Sequence, residues 1–287
     1  MDVSCRLAHV GFTARRVLLI PKGFVQSWGS VVAWASIVMA LVVAVGPLVS
    51  PCQADDAGRV RESLKGRDGT KWVVPVASEG ETRIPRVCAS LRDAYFEGKP
   101  ESKVIVHPEI EYWEIRFQGT PASANVVLEF DEFPSTLEEA KRTEQAGDGT
   151  LTLRCSQGRV TGEKLRFEPQ PHKNTIGYWA VASDTVTWPV TISKSGRFNV
   201  GLLQGAGERG GGIAKVSVLQ RDQVVDSFEY KVQKTGHFQN FEWNHAGVLE
   251  IPTPGDYDIR IEAAKIDQVA LMDVRQVHLS PLPNAKK

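Results

Sequence analysis

The second half of the chain reads as a β-sandwich or barrel, and three observations predict it. From Thr150 onward, segments of strand length alternate apolar and polar residues or carry branched and aromatic ones: TLTLRCS, KLRFEP, DTVTWPVTI, RFNVGLLQ, AKVSVLQ, SFEYKV, HAGVLEIP, YDIRIEAA and VALMDVRQVHL. Turn-forming clusters, SKSG, QRD and PTPGD, punctuate them. No amphipathic run of helix length occurs in that half, which leaves a sheet-on-sheet or closed-sheet architecture.

In chain order, the first element is not domain material. Arg6, Arg15, Arg16 and Lys22 form a basic lead, and an uncharged run GSVVAWASIVMALVVAVGPLVS starts at Gly29. A cationic lead, an apolar stretch and the small residue of CQA before Asp55 read as a secretory signal, with cleavage after Ala54. The alternative for residues 1–54 is an uncleaved anchor, because the run approaches the ~20 residues that span a bilayer. A secreted, periplasmic or cell-envelope protein is expected, with membrane contact only if that segment is retained. Cys88 and Cys155 are the two cysteines after it, and they are either a disulfide or two buried thiols.

Residues 55–149 form a smaller β-rich region. KWVVPVAS starts a strand, and RVCASLRDAYFEG suggests a short helix with Val87, Leu91 and Tyr95 on one side. YWEIRFQG and NVVLEFDEF read as strands around the turn GTPASA. STLEEAKRTEQAGDG, with a Ser cap, charges four apart and a Gly-rich close, is a short exposed helix or a linker and marks the boundary. The sandwich then occupies 150–281, with 282–287 as a tail. Within it Val186, Trp188 and Val190 share one strand face and should point inward.

Lys+Arg 34 balance Asp+Glu 34, so the clustered cationic excess of a nucleic-acid surface is missing. GAGERGGG at 205–212 contains G-x-G-x-x-G, but the alternating strand AKVSVLQ follows where phosphate binding needs a helix N-terminus. It reads as a hairpin loop. The six histidines are scattered, and no nucleophile elbow, zinc motif or C-x-x-C occurs. His107, Glu109, Glu111 and Glu114 in HPEIEYWEIRF suggest paired carboxylates for glycosidic cleavage, but on a strand Glu109 and Glu111 share one face, most often the wet one. No catalytic residue, metal ligand or cofactor is assigned.

TGHFQNF at 235–241 places Phe238, Gln239, Asn240 and Phe241 directly after a Thr-Gly turn. Together with Gly177-Tyr178-Trp179, Asp184 to Trp188, Lys194 to Val200, Gly205 to Gly212 and Leu271 to Leu279, it follows a known order of motifs. The stretch 150–281 resembles family-6-type carbohydrate-binding modules and the related galactose-binding-like modules of secreted fucosidases and sulfatases. The resemblance implies a mostly β protein with a jelly-roll β-sandwich in its C-terminal half. It also implies a weak, non-catalytic glycan site at the sandwich end, built from Tyr178, Trp179, Phe238, Gln239 and Asn240. An aromatic ring covers the apolar face of a sugar while amides bond its hydroxyls. The chain departs from the pattern at three places. Arg154 stands where a calcium-ligating Glu is usual, Leu271 and Met272 where a cleft Asn precedes the last-strand Asp, and Phe238 where Trp is common. A structural or protein-interaction module of the envelope, with envelope proteins as partners, is the alternative reading; a small glycan-active hydrolase is the third.

Overall fold

The computed structural model describes residues 66–77 and 81–283. The expected export segment 1–54, the start of the first region and residues 284–287 of the tail lie outside the described residues. What is described is almost entirely β, with one short 3-10 turn, Cys155–Gln157.

The first region has eight strands: β1 (Arg67–Asp68), β2 (Lys71–Pro75), β3 (Thr82–Pro85), β4 (Leu91–Phe96), β5 (Lys99–Lys103), β6 (Ile105–Pro108), β7 (Tyr112–Arg116) and β8 (Asn125–Phe130). They form a five-stranded sheet in the order β1-β2-β8-β4-β5 and a three-stranded sheet β3-β7-β6. Alternation explains the layers: Trp72 and Val74 on β2, Ile84 on β3 and Trp113 and Ile115 on β7 are buried. The helix expected over 86–98 is a correction, because its second half is β4. A bulge between Leu91 and Asp93 shifts the register, so Leu91, Ala94 and Phe96 all turn inward. Of the expected stripe, Val87 and Leu91 are buried, but Tyr95 faces away from them and donates to Glu129 at 2.6 Å.

The stretch 135–149 is neither helix nor free linker. After a single turn closed by Ala140 N–H on the Thr136 carbonyl it runs as a strap whose β9 (Thr143–Glu144) pairs in parallel with β14 (Thr185–Ile192). Gln145 fastens the strap further, accepting from the Ser193 and Lys194 backbone N–H groups at 3.0 and 2.7 Å.

The sandwich contains β10 (Leu151–Arg154), β11 (Arg159–Thr161), β12 (Arg166–Glu168), β13 (Thr175–Gly177), β14, β15 (Gly196–Gly205), β16 (Gly212–Gln220), β17 (Gln223–Lys231), β18 (Glu242–Ile251), β19 (Gly255–Ile266) and β20 (Asp273–Pro281). One sheet runs β12-β13-β20-β15-β18 with β10 also on β20, and the other β11-β14-β19-β16-β17. Except for β9, every pairing is antiparallel. Val186, Trp188 and Val190 are fully buried as expected, and the Trp188 indole donates to the Arg154 carbonyl at 2.8 Å. Turn chemistry matches: Arg221 and Asp222 both take positive φ in the two-residue β16–β17 hairpin.

The two regions share one apolar core. Trp113 of β7 lies 6.3 Å from Phe167 of β12 between ring centroids. Arg86 is buried across the seam, donating to the Gly158 and Ser156 carbonyls at 2.7 and 3.0 Å while its guanidinium covers Phe167. Burial lowers its pKa to about 10, and the nearby thiols oppose that shift. Cys88 and Cys155 are free, buried thiols, and burial pushes Cys155 up to about 12.

Candidate functional site

Four loops meet at one end of the sandwich. Leu271 N–H donates to the Trp179 carbonyl at 2.8 Å, and Gly211 N–H to the Leu271 carbonyl at 2.8 Å. Gly207 bridges Gly236, and Gly210 bridges Ala270. The Gly-aromatic loop, the glycine loop, the TGHFQNF turn and the loop before β20 are therefore tied together through backbone groups. The glycine loop is a β15–β16 hairpin loop, as its sequence predicts.

The five expected ligand-binding residues fall in different places. Tyr178 is exposed at 48% and takes a φ of 62°, in the left-handed region that side chains rarely adopt. Arg166 places its guanidinium 4.1 Å from the Tyr178 ring centroid, and the Lys173 ammonium lies at 5.6 Å. Trp179 is a correction: it is wholly buried, its indole N–H donates to the Asp184 carbonyl at 3.1 Å, and it belongs to the core. The chain leaves β13 at Gly177, and the left-handed turn at Tyr178 sends its ring outward while Trp179 packs into the core.

Phe238 is half-buried, with its ring on the glycine loop. A Cβ at Gly207 would meet that ring at 3.1 Å and one at Gly210 at 2.9 Å, which explains glycine at both positions. Asn240 donates to the Thr235 carbonyl at 2.6 Å and to Glu242 at 3.2 Å, bracing its own turn. The exposed Gln239 side chain has no hydrogen bond among the described residues. Phe241 stacks under Arg275, whose guanidinium is 3.8 Å from the ring centroid and donates to the Lys173 carbonyl at 2.6 Å.

Beneath Tyr178 lies a buried acid pair. Glu168 and Asp273 each place an oxygen by Gly177, 2.7 and 3.0 Å from where a Cβ would sit. Burial, then the charge of Glu168, raises the Asp273 carboxyl well above its ordinary value, against the pull of Lys173 and Arg275. Lys173 is bonded to Glu168, so an ammonium already supplies positive charge here. Arg154 is held by both oxygens of Glu132 at 2.7 Å. A calcium cage needs several free hard oxygens, and a guanidinium on β10 and an ammonium beside β20 do not fit it.

Two carboxylates of the first region, Glu109 and Glu114, are engaged in ion pairs. Glu109 and Glu111 lie in the β6–β7 turn, not on a strand face, and Glu109 is paired with His107 and Arg166, each at 3.1 Å. Burial alone would raise the Glu114 carboxyl. The bond from Arg116 and the charges of Arg116 and Arg83 outweigh it, holding Glu114 ionised below its ordinary value.

One surface was not singled out from the sequence. On the outer face of the β20-β15-β18 sheet, Trp243 is 53% exposed. It edges an open groove of about 260 Å³ with His245 and Asn244 of β18, Asn199 of β15, and His278 and Ser280 of β20. Gly201 lies beneath the Trp243 ring, within van der Waals reach of Cε3 and Cζ3. His278 lies edge-on to the ring at 6.4 Å and its Nδ1 is 3.1 Å from Thr152 Oγ1. The signal in the sequence is EWNHA, where Trp243 and His245 share the face of a strand whose other neighbours there are polar.

No family description matches the chain, and no curated protein is matched by its sequence. Among solved structures it is similar to an α-L-fucosidase from Vibrio sp. strain EJY3, at 13% identity and a TM-score of 0.34. That alignment covers 74% of this chain and 38% of the fucosidase, so the chain spans well under half of that protein. It is also similar to a family 35 carbohydrate-binding module from Clostridium thermocellum, at 11% identity over 46% of this chain and 98% of the module, TM-score 0.36. The C-terminal CBM6 of LamC, a marine laminarinase from Zobellia galactanivorans, aligns at 14% identity over 46% and 98%, TM-score 0.36.

Proposed function

We propose that this chain is an exported, non-catalytic glycan-binding protein that holds sugars weakly on aromatic surfaces of its sandwich. The observation that carries the reading is the Trp243 groove, where a half-exposed indole lies beside neutral and imidazole hydrogen-bonding side chains. That is the donor set a sugar needs: a flat apolar surface for its ring face and short polar groups for its hydroxyls. Tyr178 at the loop end, with Gln239 nearby in the order of motifs, is the second surface. Export is supported by the basic lead, the uncharged run and the small residue before Asp55. Weak binding follows from magnitude: a stacked ring adds about 0.5–1.5 kcal/mol, while millimolar affinity needs about 4 kcal/mol.

The alternative, a structural or interaction module of the envelope, is favoured by the TGHFQNF turn itself. There Phe238 is seated on glycines and Asn240 bonds its own turn, so most of the motif serves the fold. Affinity gel electrophoresis against a panel of neutral and acidic polysaccharides separates the two. Trp243→Ala should reduce retention roughly two- to tenfold, the equivalent of one lost stacked ring, with unchanged unfolding. A wild type that migrates freely in every gel supports the structural module.

A further inference from the structure

The first region carries no assigned role, yet it reaches the exposed ring at the sandwich end through a short chain of contacts. Glu109, in the turn between β6 and β7, bonds Arg166 Nη1 at 3.1 Å, and His107 Nε2 holds the other oxygen of Glu109 at 3.1 Å. Arg166, on edge strand β12, stacks its guanidinium 4.1 Å from the centre of the Tyr178 ring. Gln170 adds a second tie, donating to the Val106 carbonyl at 3.3 Å. A hollow of about 310 Å³ opens beside Glu109, lined from the first region by Glu111 and Tyr112 and from the sandwich by Gly162.

We propose that Glu109 is a positioning residue: it seats Arg166 against one face of Tyr178 and so fixes which face of the ring is offered to a sugar. This deepens the glycan-binding reading and rests on its Tyr178 surface. The Tyr178 hydroxyl has no hydrogen bond among the described residues, so nothing at the far end of the side chain orients it. The ring is about half exposed, so core packing does not enclose it either. The Arg166 guanidinium is the group packed nearest the ring face, and its bond to Glu109 fixes where that planar fork lies. Anchoring by Glu109 sets that position before ligand arrives, which is how a preorganised surface gains affinity. Lys173, at the ring's other cationic neighbour position, is bonded to Glu168, so both cations near Tyr178 are already paired. The surface they frame therefore suits a neutral glycan.

Two measurements on the full chain test this. In affinity gels containing barley β-glucan, xylan, galactomannan or pectin, the polysaccharide that most retards the wild type serves as probe. Glu109→Ala and Arg166→Ala should each lose at least about threefold in retention, with melting temperatures like the wild type's. Glu109→Gln, which keeps an acceptor for Arg166, should recover most of it, and Glu109→Ala should add nothing in a Tyr178→Ala background. The second measurement needs no sugar: nitration of Tyr178 by tetranitromethane, followed by mass spectrometry, should accelerate in Glu109→Ala. Unchanged nitration there overturns the positioning role outright. Loss of retention in Tyr178→Ala with full retention in Glu109→Ala also overturns it, while leaving the glycan reading intact. Full retention in Tyr178→Ala removes the loop-end surface and this inference with it.

Discussion

Trp188 sits mid-strand with Val186 and Val190 on the same buried face, and its indole N–H is satisfied by the Arg154 carbonyl. Truncation would leave both a cavity and an orphaned carbonyl, so Trp188→Ala should cost about 3–5 kcal/mol in denaturant unfolding. A loss below about 1 kcal/mol would place the ring outside the core. Asp273 shows the opposite behaviour. Its carboxyl binds a proton more tightly folded than unfolded, so stability falls as pH rises from about 4 through its raised folded value. Asp273→Asn should raise the melting temperature at pH 7 and flatten the slope across that window, read by thermal unfolding between pH 4 and 8. A variant less stable than the wild type at pH 7 would mean that Lys173 and Arg275 require the charge. Glu139 has the reverse sign: the Arg67 bond holds it at about 2, and its contribution is lost progressively as pH falls from about 4.5 through that value.

At the scale of elements, strands with strict alternation were legible and those with irregular registers were not. β14, β15 and β19 carry buried residues at every second position, and their sequence says so directly. β4 misleads because its bulge breaks the alternation and Val87, Leu91 and Tyr95 are spaced like a helical stripe, although Tyr95 faces away from the other two. The strap 135–149 misleads because its charges suit an exposed helix, while Gln145 and the β9 pairing that fasten it are long-range. The site divides the same way. The order of motifs pointed to Tyr178, but adjacency alone did not tell which of Tyr178 and Trp179 faces outward. Trp243 was hidden because an isolated aromatic on a strand's wet face leaves no periodic trace. The β10 and β20 elements also decide a metal question. With Arg154 paired to Glu132 and Lys173 beside Asp273, calcium should shift the melting temperature by less than about 1 °C at millimolar concentration, measured by calorimetry. A large rise that Asp273→Ala abolishes would contradict the ligand argument.

Across the whole molecule, the first region and the sandwich should melt as one unit. Arg86 makes its two bonds only across the seam, and Trp113 packs on Phe167 from the other side of it. Breaking such a contact leaves a buried guanidinium without acceptors, at a cost of about 3–5 kcal/mol for an uncompensated charge. Scanning calorimetry of residues 55–287 should therefore show a single transition whose van't Hoff and calorimetric enthalpies agree. Arg86→Ala should split or broaden it.

The seam has a practical meaning for anyone who would borrow the sandwich. A sandwich of this size invites use as a cassette, moved between proteins as a bead on a string. Here, a gene fragment starting at Thr150 would present the bare edge of Phe167 and the unbonded carbonyls of Ser156 and Gly158 to water. Such a fragment would need redesign at that surface before it could be grafted. The unit to move is the pair of regions, and a fusion built from it should begin upstream of Arg67.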